Sequence, residues 1–406
     1  MDTITHGIAG ALIGKALFKG EDMFALKPMN RARIVTWSFM LGAIFPDSDV
    51  LRDFFSHNPL LLITWHRSIT HSLICMPVWA LILAALTRWI VRWRKWESPS
   101  FLALVGIYVI GILSHILLDL ATTFGTMIWS PLSWARPAWD ILFIVDFTFT
   151  GILLLPQFLA WLNLDAERAK RRALFTWLIF MPAPFVVAAI ARTVGAPISD
   201  SSVVIAVLVL TLLILLPAYR GWGSRFGYFK WNRAGFAAAC IYVGLAVFAH
   251  HEAFARIRSF AALENIQTES MAALPLPPSL WHWDGLILTQ HGVYEMRMDL
   301  SEKSSLTARA AAASNPAAEP PIEYHFYPDA PDNFYIEAAR QLPEVRDVLW
   351  FDRFPVTRFH MEGDDAVVEI LDLRFPQMNP NRPSSFTYRV RFDSARRVIS
   401  QGWVRR

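Results

Sequence analysis

Apolar residues fill the first 250 positions in long runs, and the polar residues between them gather in short clusters. Stretches 72–93 and 101–120 hold roughly 20 residues each, the length needed to cross the hydrocarbon core of a bilayer. Further spans are expected near 141–163, 173–191, 202–218 and 235–250. Two shorter runs come first. Residues 7–18 carry Gly7, Gly10 and Gly14, small positions suited to close helix packing, and residues 34–46 stop at Pro46. Either short run can re-enter the membrane instead of spanning it. The pattern predicts a mainly α, polytopic transmembrane helix bundle of about seven or eight segments over residues 1–250, with its core motifs in 1–160.

The character changes at residue 251. Arg256 to Gln267 reads as a surface helix, and the Ala-rich tract 307–316 as part of a flexible loop near 305–320. Residues 333–349 look helical. Stretches 356–361, 366–375, 387–392 and 398–404 alternate as strands do, with turns at Gly363-Asp364-Asp365 and Asp393-Ser394-Ala395. Residues 251–406 are therefore expected to form a small extramembrane α+β domain.

Composition agrees with a membrane protein. Apolar residues make up 54% of the chain and charged ones 18%, against about 25% in soluble domains. The net charge is only +4 and its basic residues lie in loops, so they read as topology signals, and no direct nucleic-acid binding is expected. Cys75 and Cys240 both fall in apolar runs and cannot build a thiolate metal cage. The N-terminus lacks a secretory signal pattern, so targeting is expected from the spans themselves.

Lys and Arg also orient the bundle. The clusters Lys19–Arg33, Arg88–Lys95, Arg168–Arg172 and Arg220–Arg233 can all be assigned to the cytoplasm on one alternating path. That path sends the C-terminal domain to the periplasmic side of a bacterial inner membrane. It also brings seven metal-competent side chains to that side: His6, Asp47, Asp49, His66, His71, His115 and Asp119.

His115 and Asp119 are four residues apart and project from one helix face, the geometry by which a helix offers two ligands to one cation. Imidazole with carboxylate and no thiolate favours Zn²⁺, with Mn²⁺ and Fe²⁺ as alternatives. Seven groups exceed the needs of one tetrahedral ion, so two ions bridged by a carboxylate would use them well. Asp47 or Asp49 is the candidate general base or bridge. Arg67 is the candidate for holding an anionic group, since a guanidinium matches phosphate oxygens. His71 abuts its span and is favoured over His66 as a direct ligand. Each piece has a plainer reading: a His–Asp hydrogen bond across the bundle, a Pro–Asp turn, an interfacial arginine, Thr70 as a helix cap.

The order His6-Gly7, Pro46-Asp47-Ser48-Asp49, His66-Arg67-Ser68-Ile69-Thr70-His71 and Ser114-His115-Ile116-Leu117-Leu118-Asp119, with Thr122, Thr123 and Gly125, resembles one family. It is the membrane-bound metal-dependent hydrolase family, described as LexA-binding and inner-membrane-associated. The resemblance is strong over residues 1–160 and implies hydrolysis without naming a substrate. The order of ligands is also similar, more weakly, to that of zinc-dependent phospholipase C. That enzyme type has further His and Glu ligands soon afterwards, whereas here no histidine follows His115 until His250, so a mono- or dinuclear site is expected over a three-metal one.

Other candidates are weaker. Asp146 would be an isolated carboxylate inside the membrane, calling for a partner. Asp140 and Arg136 lie near the same expected face. Adjacent His250 and His251 point to different helix faces. The chain has no Gly-x-Ser-x-Gly elbow, P-loop or dinucleotide fingerprint. The expected function is a membrane-bound metal-dependent hydrolase acting on a phosphoester or related bond of a lipid or lipid-linked substrate. The alternative is a non-catalytic, metal-stabilised membrane protein whose outer domain binds a partner or envelope polymer. A transporter using His115 and Asp146 is disfavoured, because the polar groups crowd one face.

Overall fold

The computed structural model describes residues 1–21, 29–56, 58, 60–193, 198–276, 280–300, 324–375 and 386–404. The expected loop near 305–320 lies outside them. The chain divides into two compact units. The first is Met1–Ser48, Arg67–Trp139 and Ile144–Gly244; the second is Asp49–His66, Asp140–Phe143 and Leu245–Arg406.

The first unit is helical. Helix α1 (Thr3–Leu17) starts at an Asp2 cap that accepts from the Thr5 amide, and α2 (Arg31–Ile44) at an Asn30 cap that accepts from the Arg33 amide. Helix α3 covers Met76–Trp93 and α4 covers Phe101–Leu120, the latter capped by Ser100. Then come α5 (Phe147–Leu162), α6 (Ala166–Phe180), α7 (Ala183–Thr193), α8 (Asp200–Tyr219) and α9 (Tyr228–Leu263), whose residues from Leu245 on belong to the second unit.

Five stretches are long and apolar enough to cross a membrane: α3, α4, Ala166–Ala189, α8 and α9. The expected count of about seven or eight spans is thus not reached among the described residues. Helices α1, α2 and α5 are shorter, at 15, 14 and 16 residues. Pro46 is one reason, since it cannot continue α2 and the chain tightens into a 3₁₀ helix at Phe45–Val50. The single span expected at 235–250 is part of a 36-residue helix that also absorbs most of the expected surface helix. Large apolar side chains such as Leu102, Trp93 and Phe248 stay exposed, as lipid-facing positions require.

Contact between α1, α2 and α4 is unusually close. A Cβ on Gly10 would lie 2.6 Å from the Phe39 carbonyl oxygen and 2.7 Å from the Ala43 Cβ. A Cβ on Gly111 of α4 would lie 3.1 Å from that same carbonyl and 3.2 Å from the Gly42 Cα. Without a hydrophobic force between helices in lipid, such backbone approach is what holds a bundle together. Helix α2 is thereby pinned between α1 and α4.

The second unit contains two four-stranded antiparallel sheets, each in simple sequential order. One comprises β1 (Ser270–Pro275), β2 (His282–Thr289), β3 (Gly292–Asp299) and β4 (Tyr324–Pro328). The other comprises β5 (Pro355–Glu362), β6 (Asp365–Asp372), β7 (Thr387–Phe392) and β8 (Val398–Trp403). Leu274, Leu286 and Val293 from the first sheet share a core with Val356 and Leu371 from the second. Helices α10 (Phe334–Gln341) and α11 (Pro343–Phe351) occupy the segment expected to be helical. The second sheet agrees with the four expected strands. The first was not anticipated, because the middle of β2 is buried on both faces and shows no alternation.

Gly10→Val should cost about 1–3 kcal/mol, the usual penalty for overpacking a tight contact. Gly151→Ala is the control: its Cβ would meet nothing within 4 Å, so stability should hold or rise by up to about 1 kcal/mol. Thermal unfolding of both variants in detergent micelles checks this.

Candidate metal centre

Four side chains from three short stretches converge inside the first unit. Asp47 comes from the 3₁₀ helix after Pro46, and His71 from a single 3₁₀ turn at Ile69–His71. His115 and Asp119 come from the last turns of α4, four residues apart and on one face. One ligand atom from each lies within 4.8 Å of all the others. His71, His115 and Asp119 are fully buried, and the Asp47 side chain is nearly so.

Individual distances test whether one cation fits. His71 Nε2 lies 3.0 Å from His115 Nε2, 3.2 Å from Asp119 Oδ2 and 3.7 Å from Asp47 Oδ1. His115 Nε2 lies 3.3 Å from Asp119 Oδ2 and 3.4 Å from Asp47 Oδ1. Ligand bonds of about 2.0–2.1 Å give a tetrahedron with edges of about 3.3–3.4 Å, and the five separations bracket that value. Asp119 Oδ2 makes no hydrogen bond among the described residues although two imidazole nitrogens stand beside it. An orphaned, buried carboxylate oxygen is costly unless a cation completes it. The donor set and the orphaned oxygen both fit a divalent ion.

A surrounding layer fixes the ligands. His115 Nδ1 lies 2.6 Å from the Ala43 carbonyl oxygen. A carbonyl only accepts, so Nδ1 carries the proton and Nε2 presents its lone pair to the cluster. The Thr70 hydroxyl lies 3.0 Å from His71 Nδ1, and the Thr3 hydroxyl donates to Asp47 Oδ2 at 2.5 Å.

Asp119 uses its other oxygen differently. Arg67 Nη2 lies 2.9 Å from Asp119 Oδ1, while Arg67 Nη1 donates to the Thr122 hydroxyl at 3.0 Å. That hydroxyl in turn donates to the Asp119 carbonyl at 2.8 Å. Arg67 is 3% exposed and has φ of 63°, a left-handed backbone that turns the chain so that its side chain runs inward. The Met1 amine also contacts Asp119 Oδ1; burial and the neighbouring Arg67 charge lower it to about 6.

His6 stands beside the four. Its ring stacks on that of His115 with centroids 3.6 Å apart, and its Nε2 lies 3.2 Å from Asp119 Oδ1. Asp49 and His66 are brought to each other: His66 Nδ1 lies 2.8 Å from Asp49 Oδ1, both in the second unit. A 3₁₀ helix turns about 120° per residue, so side chains two apart diverge, and Asp49 cannot point where Asp47 points.

The remaining candidates have plain structural partners. Asp146 caps α5 by accepting from the Phe149 amide at 2.9 Å, and it accepts from the Tyr242 hydroxyl at 2.7 Å. Asp140 forms a two-pronged pair with Arg353 at 3.0 and 2.9 Å, both residues in the second unit. Arg136 donates to the Gly125 carbonyl at 3.3 Å and lies over the Phe124 ring. His250 sits edge-on to Trp283. Sequence reasoning missed the Ala43 carbonyl and Thr3. The first acts through backbone, which no side-chain pattern reveals, and an isolated threonine near a helix start carries no distinguishing signal.

Fold and site together define a multi-pass helical membrane protein with a buried Asp/His cluster able to hold a metal ion. Residues 1–196 match the family model described as YdjM inner membrane protein. The apolar helices make the chain a multi-pass membrane protein, and the matched description is that of an inner membrane protein. The matched description supports the membrane half of the family resemblance and is silent on hydrolysis. No curated protein and no solved structure matches the chain.

Arg67→Ala leaves the Asp119 carboxylate buried with its main cation removed, a change that typically costs about 3–5 kcal/mol. Arg67→Lys should recover only part, because a point charge cannot serve Asp119 and Thr122 at once. Thermal unfolding in micelles orders the three proteins wild type, Lys, Ala; an alanine variant as stable as wild type would overturn this role for Arg67.

Proposed function

We propose that the chain is a membrane-bound metal-dependent hydrolase, acting on a phosphoester or related bond of a lipid or lipid-linked substrate. The observation that carries this reading is the convergence of Asp47, His71, His115 and Asp119, with Nε2 of His115 turned inward by the Ala43 carbonyl. Zn²⁺ suits the donor set best, with Mn²⁺ and Fe²⁺ as alternatives. A divalent ion held there would acidify water and stabilise charge developing on a phosphoryl oxygen.

The chain's own groups have distinct tasks in this reading. His71, His115 and Asp119 hold the ion. Asp47 is less buried than the other three, so it is the ligand nearest to solvent and the candidate to accept a proton. Arg67 pairs with Asp119 and orients it. His6 packs against His115 and supports its ring. The site belongs, in this reading, to the periplasmic face, away from the Lys and Arg clusters.

The alternative is a structural ion that pins α2 and α4 to the His71 turn. Complete burial of His71, His115 and Asp119 favours it, because a catalytic ion needs an open position.

Two measurements on purified protein separate these readings. Metal analysis should find stoichiometric Zn²⁺ or Mn²⁺ in wild type and at least a tenfold loss in His71→Ala and His115→Ala. Equal, near-zero metal in all three would sink the centre. A panel of phospholipids and polyprenyl phosphates should then reveal turnover that chelation abolishes. A metal-replete protein inert on every ester, but unfolding at lower temperature after chelation, assigns the ion a structural task.

A further inference from the structure

A second feature of the first unit lies at the opposite end of α4 from His115 and Asp119. An open groove of about 600 Å³ runs between the end of α1, the start of α2 and the first half of α4. Its walls are apolar, from Phe18, Val35, Ile107 and Ile110. Its rim carries Lys19 and Arg31, both exposed. Neither makes a side-chain ion pair or hydrogen bond among the described residues.

We propose that this groove binds an anionic phospholipid, with an acyl chain along the apolar wall and the phosphodiester between Lys19 and Arg31. Three observations select this occupant. Helix α4 is long and apolar enough to span, so its outer surface meets lipid and not water. Two cations with no ion pair among the described residues sit at the groove's rim, the arrangement by which basic pockets between membrane helices take anionic headgroups. Gly106 lines the groove, and a Cβ there would meet nothing within 4 Å. A glycine in mid-helix is unfavourable, and here its missing side chain is what leaves the wall open.

This site is distinct from the metal centre. Gly106 and Asp119 are 13 positions apart in the chain, which is about 20 Å along a helix. A zwitterionic lipid brings its own ammonium towards Lys19 and Arg31, so selectivity for an anionic headgroup is the distinguishing property. Lys19 and Arg31 belong to the basic clusters that orient the chain, so the lipid comes from the leaflet those clusters face.

Native mass spectrometry of the full chain with phosphatidylglycerol or phosphatidylcholine tests the proposal. Wild type should retain phosphatidylglycerol over phosphatidylcholine. Lys19→Gln and Arg31→Gln should each weaken phosphatidylglycerol retention about fivefold and leave phosphatidylcholine unchanged. Gly106→Leu should lose both lipids at this site, with metal content and unfolding temperature at or above wild type. Equal retention of the two lipids by wild type would overturn the headgroup assignment. Unchanged retention in Gly106→Leu would overturn the groove itself. Because metal content is read in the same samples, failure here is separable from failure of the metal centre.

Discussion

A carboxylate removed from water must be met by positive charge or give up its own, and Asp119 imposes that condition on the first unit. It is wholly buried, where a bare carboxylate is costly. Arg67 answers on one oxygen, held in place by a left-handed backbone and by Thr122. The other oxygen faces two imidazole nitrogens without a hydrogen bond among the described residues. Most of the local architecture follows from this division: one oxygen is satisfied by the chain, and the other is open to a cation.

Precision at that second oxygen depends on packing some distance away. His115 presents Nε2 only because its Nδ1 proton is engaged by the Ala43 carbonyl. Ala43 is where it is because α2 is squeezed between α1 and α4 at Gly10, Gly42 and Gly111. The small residues that allow backbone approach thus decide a histidine tautomer. This links an unremarkable glycine pattern near the start of the chain to ligand chemistry more than a hundred residues later.

The four members of the Asp/His cluster stand out in the sequence because chemistry-bearing residues are rare in apolar surroundings. His115 and Asp119 stood out for the cost of placing them there, and His71 for abutting a span. Helix α4 matched its expected bounds because Ser100 caps it and its apolar run is unbroken. What could not be read was orientation. Asp47 and Asp49 look equivalent on paper, and only the tight pitch after Pro46 sends them apart. Arg67 looked free to reach solvent, and its positive φ turned it inward. The first sheet was hidden for the related reason that strands buried on both faces lose their period.

The charge count around the cluster has its own consequence. Asp47 and Asp119 contribute two negative charges and Arg67 one positive, so with neutral imidazoles and a neutral Met1 amine the ensemble carries −1. A divalent ion would bring it to +1. In a low-dielectric interior a lone excess charge is expensive, and one monovalent anion would cancel it. Asp47, Asp119 and Arg67 would thus set in advance the sign of whatever joined such an ion.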